Sequence, residues 1–260
     1  MDNQQLAMAL CAIAREAGAA IMAIYRDPKT VQVQDKDDRS PLTNADRAAN
    51  AVICRALEGL SERWPIISEE NKNADAEVRT AYQRCWMVDP LDGTKEFIKR
   101  NGEFTVNIAL IDQGHPLIGV VYAPDLDQLY WSVPGVGAFM QLPGGTSTAI
   151  RAATFSRSDK HLAVVCSRSH LNAETQAFID DLDQPQTVES GSSLKFMLLA
   201  RGAAHLYPRL APTMEWDTAA AQAILEAAGG SVRRLDGEPL RYNKRELLNP
   251  HFVAAGAQRN

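Results

Sequence analysis

The pattern of predicted secondary structure changes near the middle of the chain. Before residue 143, short apolar segments separated by tight turns predict an antiparallel meander, as in Phe104–Ile111 followed by Leu117–Tyr122. After residue 148, predicted strands alternate with predicted helices, which is typical of a layered α/β arrangement. The turn-forming segment 143–148 lies between the two patterns. We therefore predict an α+β domain at residues 1–145 and an α/β domain at residues 146–260.

Two long helices are predicted in the first half. The segment Leu6–Tyr25 places apolar residues at steps of three and four, and Asn44–Arg63 forms a second helix that ends before Trp64 and Pro65. We expect the second helix to bury one face, made of Ala48, Val52, Ala56 and Leu60.

The composition excludes several classes of protein. With 27 basic and 32 acidic residues the net charge is −5, and no cluster of lysine and arginine indicates binding to a nucleic acid polymer. The four cysteines are far apart and form no Cys-x-x-Cys pair, which argues against a zinc site and against a disulfide framework. We also expect no signal peptide and no transmembrane segment, because no uninterrupted apolar run reaches about 18 residues.

The segment Asp89-Pro90-Leu91-Asp92-Gly93-Thr94 carries the strongest chemical signal. Two carboxylates three residues apart would repel each other in one turn unless a cation neutralised them. Pro90 keeps the preceding residue extended, so the Leu91 carbonyl can turn toward the same ion. Gly93 allows an unusual φ at the start of a helix. These features favour a metal site, and the alternative is a solvated turn rich in turn-forming residues.

Further carboxylates lie at the ends of other predicted elements. Glu69 and Glu70 follow a short apolar strand, Asp46 lies near the start of one helix, and Asp217 opens another. Each has an ordinary interpretation, since aspartate is favoured at helix N-termini and glutamate is common on surfaces. The order of these segments along the chain is more informative than any one of them.

In that order, the motifs resemble a known superfamily of phosphomonoesterases, which is lithium-sensitive and magnesium-dependent and includes inositol monophosphatase and fructose-1,6-bisphosphatase. The motifs that carry the resemblance are Leu-Thr-x-Ala-Asp (42–46), Ser-Glu-Glu (68–70), Asp-Pro-Leu-Asp-Gly-Thr (89–94) and Glu-Trp-Asp-Thr-Ala-Ala (215–220). The resemblance implies an α/β fold with alternating α-β-α-β-α layers. Segments 92–98, 101–110, 191–196 and 207–210 are similar to the bacterial 3′(2′),5′-bisphosphate nucleotidases of this superfamily.

The resemblance implies a magnesium centre with two or three ions. Glu69, Asp89 and the Leu91 carbonyl would hold one ion, while Asp89, Asp92 and Asp217 would hold a second. Two such ions can polarise a phosphoryl group, generate hydroxide from bound water and stabilise the leaving oxygen.

The resemblance also implies catalytic roles for three residues. The Thr94 hydroxyl, paired with Asp46, would activate the attacking water, and Glu69 would take part beside them. Glu70 would support a ligand or a further, weaker ion.

A nucleotide subsite is implied in the second half of the chain. Ser192 and Lys195 would contact the second phosphate of the substrate, Arg209 would join as a bidentate fork, and His170 would pack against adenine. The alternatives are a solvated helix lysine at position 195 and an ordinary loop histidine at position 170. Other residues expected to contact the substrate are Glu69, Leu91, Asp92, Gly93, Thr94 and Asp217.

The implied reaction is removal of the 3′-phosphate from adenosine 3′,5′-bisphosphate to give AMP and phosphate, with 3′-phosphoadenylyl sulfate as a further substrate. The alternatives are an inositol or sugar monophosphatase on the same scaffold, and a non-catalytic protein that senses metal or nucleotide. The resemblance further implies a cytoplasmic enzyme of sulfur assimilation with a small-molecule nucleotide as its partner. It allows peripheral attachment to the inner membrane and leaves the oligomeric state open.

Overall fold

The structure is a computed structural model, and it describes residues 1–35, 41–71, 75–167 and 172–259. Its helices are α1 (Asn3–Tyr25), α2 (Asn44–Glu58), α3 (Ala76–Arg79), α4 (Thr94–Lys99), α5 (Ala173–Asp180), α6 (Leu194–Ala200) and α7 (Glu215–Ala227). The first nine strands are β1 (Val33–Asp35), β2 (Pro41–Thr43), β3 (Ile66–Ser68), β4 (Arg84–Asp92), β5 (Thr105–Asp112), β6 (His115–Ala123), β7 (Gln128–Val133), β8 (Gly137–Gln141) and β9 (Thr148–Ile150). The others are β10 (Thr154–Phe155), β11 (Ala163–Ser167), β12 (Gln186–Ser190), β13 (Leu206–Arg209), β14 (Ser231–Arg234), β15 (Phe252–Ala255) and β16 (Ala257–Gln258).

A seven-stranded sheet organises the first half, with strands β3 to β9 in chain order. Strands β3 and β4 pair in parallel, and the remaining pairs are antiparallel, as the predicted meander requires. Successive side chains of a strand point to opposite faces, so Trp86 and Val88 pack toward α1 and α2. Cys85 and Met87 pack on the opposite face, where α7 lies.

A five-stranded sheet organises the second half, in the order β12-β11-β13-β15-β14. Helices α6 and α7 pack together between the two sheets, and α5 packs on the outer face of the smaller sheet against β13. A separate apolar cluster that includes Leu162, Ile179 and Leu206 fills the space under α5. The layers therefore alternate α-β-α-β-α, which confirms the predicted fold class.

The contact between β6 and α7 requires a residue without a side chain. A Cβ atom added at Gly119 would lie 2.0 Å from the carbonyl oxygen of Ala220, which is backbone and cannot move aside. The helix therefore packs directly onto the backbone of a central strand. The same helix also packs against β4, the strand that ends at Asp92.

The predicted domain division at residue 145 stays a prediction. Strand β9 follows the predicted linker and still extends the seven-stranded sheet. Helix α7, far along in the second half, packs on that same sheet. The two halves therefore share one sheet face.

The fully buried face of the second helix lies one position beyond the predicted face, of which Val52, Ala56 and Leu60 pack at the margin of the core. Helix α2 ends at Glu58, five residues before the predicted end, and its buried residues are Ala45, Asp46, Ala49, Ile53 and Leu57. The predicted face is only partly buried. Both stripes are apolar, and packing against α1 and β4 selects the one that carries Asp46.

Helix α1 is, among the described residues, the helix whose length and composition would allow it to cross a bilayer. The prediction of no transmembrane segment rested on the lack of an uninterrupted apolar run, which Arg15 and Glu16 break in this helix, and it stays a prediction. Ten of its residues are buried in the fold, where the helix packs against α2 and the large sheet. The apolar character of α1 is therefore explained by its place in the core.

Candidate active site

The acidic segment predicted as a metal site lies where β4 passes into α4. The antiparallel pairing of β4 with β5 is irregular between Asp89 and Asp92, so the chain bends there. Gly93 has φ of +90°, a left-handed conformation that glycine adopts at no steric cost, and α4 begins at the next residue. The Leu91 N–H donates to Asp89 Oδ1 at 3.1 Å, which holds the two residues in one tight turn.

Asp89 is the centre of a group of carboxylates. Its side chain is 1% exposed. Its pKa is raised well above the ordinary value, first by burial and then by the negative charges of Glu69, Asp92, Asp217 and Asp46. These five carboxylates come from four separate segments of the chain. The fold therefore gathers carboxylate groups around the buried carboxyl group of Asp89.

Asp92 ends β4 and Asp217 lies in the first turn of α7, and the two carboxylates are near enough to interact electrostatically. Burial raises the pKa of Asp92, while Lys195 and a hydrogen bond from Ser193 lower it. Burial and the charge of Asp92 raise the pKa of Asp217 to about 8. Asp217 Oδ2 accepts a hydrogen bond from the Met214 N–H at 2.8 Å, so this carboxylate also caps the first turn of α7.

Thr94 and Asp46 form a hydrogen-bonded pair. The Thr94 hydroxyl donates to Asp46 Oδ1 at 3.1 Å, and it also lies 3.3 Å from the Leu91 carbonyl oxygen. The other oxygen of Asp46 accepts from the Thr43 N–H at 2.8 Å and from the Thr43 hydroxyl at 2.5 Å. Burial raises the pKa of Asp46 to about 6, although the bonds from Thr43 and Thr94 oppose the rise.

Glu69 and Glu70 lie at the end of the edge strand β3. Because β3 and β4 run in parallel, Ser68 pairs with Val88, and the Glu69 N–H donates to the Val88 carbonyl at 3.1 Å. This pairing brings Glu69 beside Asp89. Glu70 lies on the Asp46 side, where its negative charge contributes to the raised pKa of Asp46.

The donor atoms of this group fit a hard divalent cation. All are carboxylate or carbonyl oxygens, the ligands that magnesium and calcium prefer. The largest influences on the pKa of Asp89 are burial and four other carboxylates, and no positively charged side chain of the described residues is among them. Among the residues that the structure describes, however, no three side chains of aspartate, glutamate, histidine or cysteine lie close enough together to hold a metal ion by themselves. The predicted ligands therefore lie near one another without forming a complete coordination site, and the set stays a prediction: Glu69, Asp89, Leu91, Asp92 and Asp217.

A polar cavity of about 60 Å³ lies beside the carboxylates. It is lined by three residues of the predicted nucleotide subsite, Ser192, Lys195 and Arg209, together with Asp92 and Asp217. The structure therefore brings residues from both halves of the chain to one site.

Lys195 is 7% exposed, so the alternative of a solvated helix lysine does not hold. Burial lowers the pKa of Lys195 to about 8, and the charge of Asp92 opposes that change. Its ammonium group lies 5.7 Å from the centre of the Tyr207 ring.

Arg209 presents an unused donor near the same cavity. One terminal nitrogen, Nη2, donates to the Pro212 carbonyl at 2.9 Å. Its Nε atom is buried and has no hydrogen-bond partner among the described residues. A buried donor without a partner is costly, so this atom favours an anionic ligand at the cavity.

His170 lies outside the described residues, and its predicted contact with adenine stays a prediction. Sequence reasoning missed Thr105, Asn107 and Ser193, which surround Asp92. A signal for the first two was present, because they are polar residues two apart in a strand that is otherwise apolar up to Asp112. Ser193 had no such signal, since its contacts join three distant segments.

Comparison with known proteins shows the family of this chain. A family model described as "Inositol monophosphatase family" matches residues 2–259. The chain belongs to the inositol monophosphatase family. It is 49% identical to the 3′(2′),5′-bisphosphate nucleotidase CysQ of Escherichia coli strain K12, over 94% of this chain and 96% of that protein.

Two further members of the family are similar over nearly their whole length. The 3′(2′),5′-bisphosphate nucleotidase CysQ of Buchnera aphidicola is 43% identical over 95% of this chain and 92% of that protein. The crystal structure of CysQ from Bacteroides thetaiotaomicron superposes with a TM-score of 0.85 at 44% identity, covering 98% of each chain. The predicted resemblance, the fold and the assignment to a phosphatase family are thereby confirmed.

Proposed function

We propose that the protein is a magnesium-dependent 3′(2′),5′-bisphosphate nucleotidase that converts adenosine 3′,5′-bisphosphate to AMP and phosphate. One observation carries the proposal: a buried carboxylate group around Asp89 adjoins a cavity that holds a buried lysine. The first feature suits a metal-assisted phosphatase, and the second suits a substrate with an additional phosphate. The family members described above carry the nucleotidase name.

The carboxylates would hold the metal through oxygen atoms from both halves of the chain. Glu69, Asp89, the Leu91 carbonyl, Asp92 and Asp217 are the residues we assign to it. Bound magnesium would polarise the phosphoryl group, lower the pKa of a water molecule and neutralise charge on the leaving oxygen. We propose two or three ions per site.

Asp46 and Thr94 would orient and deprotonate the attacking water. The Thr94 hydroxyl hydrogen points to Asp46 Oδ1, so the hydroxyl oxygen keeps lone pairs that can accept a hydrogen bond from water. With a pKa of about 6, Asp46 is mostly ionised at pH 7 and is still basic enough to receive a proton. Thr43 holds its other oxygen, so the Asp46 carboxylate cannot rotate away from Thr94.

The cavity beside the metal ligands would bind the phosphate that is not cleaved. Lys195 supplies a buried positive charge, Arg209 supplies the unused Nε donor, and Ser192 supplies a hydroxyl group. A buried cation gains more from an anionic ligand than an exposed one does, because the local dielectric constant is lower. These residues would therefore distinguish a bisphosphate from a monophosphate.

The discriminating experiment compares three substrates in the presence of magnesium: adenosine 3′,5′-bisphosphate, adenosine 3′-monophosphate and inositol 1-phosphate. We expect kcat/KM to be highest for the bisphosphate. In Lys195→Ala the preference over the 3′-monophosphate should fall by about 10- to 100-fold, which corresponds to loss of one charged hydrogen bond. Lys160→Ala is the matched control, because Lys160 is an exposed lysine paired only weakly with Asp183 at 3.5 Å.

The outcomes separate the alternatives. Faster release from inositol 1-phosphate would retain the metal centre and replace the nucleotide assignment by an inositol or sugar monophosphatase. Binding of nucleotide and metal without turnover of any substrate would favour a sensing protein. Release that is independent of magnesium would overturn the proposal itself.

We extend the proposal to 3′-phosphoadenylyl sulfate as a second substrate, since it carries the same 3′-phosphate. We also propose a cytoplasmic location. The four cysteines Cys11, Cys54, Cys85 and Cys166 are all free thiols, as is usual in a reducing compartment. No observation supports a peripheral position on the inner membrane, and we do not propose one. The same substrate panel, with 3′-phosphoadenylyl sulfate added, tests the wider specificity.

A further inference from the structure

Two consecutive serines precede α6 and meet two polar residues of β5. Thr105 and Asn107 lie on the same face of that strand and are 0% and 1% exposed. The Thr105 hydroxyl donates to Ser192 Oγ at 3.3 Å, and the Asn107 amide donates to Ser193 Oγ at 2.9 Å. Ser192 has φ of +40°, a conformation uncommon for residues other than glycine, at the turn that presents both hydroxyl groups to β5. The two halves of the chain are thus joined by a short polar ladder.

Ser193 lies where three functional segments meet. Its hydroxyl oxygen is 3.0 Å from Asp92 Oδ2 and 3.0 Å from the backbone carbonyl oxygen of Asp217. Because the hydroxyl accepts its hydrogen bond from Asn107, its own hydrogen is available for one of these two acceptors. The side chain is 1% exposed, so water does not compete for these contacts.

The hydrogen bonds to Asp92 are distributed unevenly between its two oxygens. Among the described residues, the side chains of Ser193, Asn107 and Thr105 all place a donor atom within hydrogen-bond distance of Oδ2, at 3.0, 3.4 and 3.5 Å. The Ser193 contact is the shortest of the three. This arrangement fixes the rotation of the carboxylate and leaves Oδ1 as the oxygen available to a cation.

We propose that Ser193 is a positioning residue that fixes the Asp92 carboxylate against the first turn of α7 for cation binding. The inference rests on the proposed metal-dependent function. Removing the hydroxyl would take away the polar side-chain atom that lies closest to Asp92 Oδ2. It would also remove the only side-chain contact among the described residues that links Asp92 to the Asp217 backbone. Groups that orient metal ligands typically contribute about 10- to 100-fold in metal affinity.

The test is direct cation binding to the enzyme without substrate. Mn²⁺ is the probe, because it takes the same oxygen ligands as magnesium and its binding is measured by electron paramagnetic resonance or calorimetry. We expect the dissociation constant of Ser193→Ala to rise by about 10-fold or more. Ser132→Ala is the matched control: Ser132 is also 1% exposed and accepts one hydrogen bond, from the Gly119 N–H at 3.0 Å, and has no contact with Asp92.

Thermal unfolding of the same proteins in chelator separates positioning from general stability. A merely structural role would lower the melting temperature of both variants and leave Mn²⁺ affinity per folded molecule unchanged. Ser193→Cys, which keeps the volume and only a weak donor, serves if the alanine variant does not fold. Wild-type affinity in Ser193→Ala or Ser193→Cys would overturn the inference alone, whereas failure of the wild-type protein to bind Mn²⁺ would overturn the proposed metal function.

Discussion

Replacing Asp217 by asparagine should stabilise the protein in the absence of divalent cations. The folded state raises the pKa of this carboxyl from 3.8 to about 8, chiefly through burial and the charge of Asp92. A raised acid pKa means that ionisation opposes folding. The penalty is absent below pH 3.8, grows as the pH rises, and is complete above pH 8. Asparagine keeps an oxygen that can accept the Met214 N–H and carries no charge.

The magnitude follows from the two pKa values. At pH 7 the full shift corresponds to about 4 kcal/mol, and at pH 5 to about 2 kcal/mol. Asp217 is partly exposed, so solvent screening lowers these figures by up to half, to about 2–4 and about 1–2 kcal/mol. For a chain of this size, about 2 °C per kcal/mol is expected, so the melting temperature should rise by about 4–8 °C at pH 7.

The assay is thermal unfolding of wild-type protein and Asp217→Asn in EDTA at pH 5 and pH 7, repeated at pH 7 with excess magnesium. The variant should be more stable in EDTA, and by a larger margin at pH 7. Magnesium should raise the melting temperature of the wild-type protein more than that of the variant. Equal stability in EDTA at pH 7, or a margin that does not change with pH, would refute this account of the carboxylate group.

Three further predictions concern other residues. Asp46→Asn should lower kcat by about 100-fold or more and change Mn²⁺ affinity little, because Asp46 acts on the attacking water through Thr94. Steady-state kinetics and calorimetry measure the two quantities, and an unchanged kcat would exclude Asp46 as the proton acceptor. Glu215→Ala should lower the free energy of unfolding, measured by urea titration, by about 3–5 kcal/mol, since the fully buried Glu215 carboxylate pairs with Lys244. A loss below about 1 kcal/mol would show that this ion pair contributes little to stability. Gly119→Ala should lower the melting temperature strongly, because its Cβ would overlap the Ala220 carbonyl, and a wild-type melting temperature would show that α7 can shift.

The parts of the site that were predictable are those set by local sequence. The turn at Asp89–Thr94 follows from a proline, a glycine and two aspartates, and the structure shows the left-handed Gly93 that this pattern favours. The order of strands in the meander was predictable for the same reason, because short turns join neighbours. The neighbourhood of Asp46 and Thr94 required the family resemblance, since 48 residues separate them.

The parts that were not predictable depend on tertiary contacts. Helix α2 has two apolar stripes, and only its packing against α1 and β4 decides that Ala49 and Ile53 face the core. Ser193 looked like any serine before a helix, because Asp92 and the Asp217 carbonyl reach it from distant segments. The burial of Lys195 likewise arises from the layers above and below α6.

The central claim is that the carboxylates around Asp89 hold magnesium for removal of the 3′-phosphate. The most direct test measures phosphate release from adenosine 3′,5′-bisphosphate by wild-type protein and Asp89→Asn over a range of magnesium concentrations. We predict saturable, magnesium-dependent release by the wild-type protein, and a loss of at least about 1,000-fold in the variant at every concentration, as expected when a ligand shared by the catalytic ions is removed. Release that persists without magnesium, or that survives in Asp89→Asn, would contradict the account.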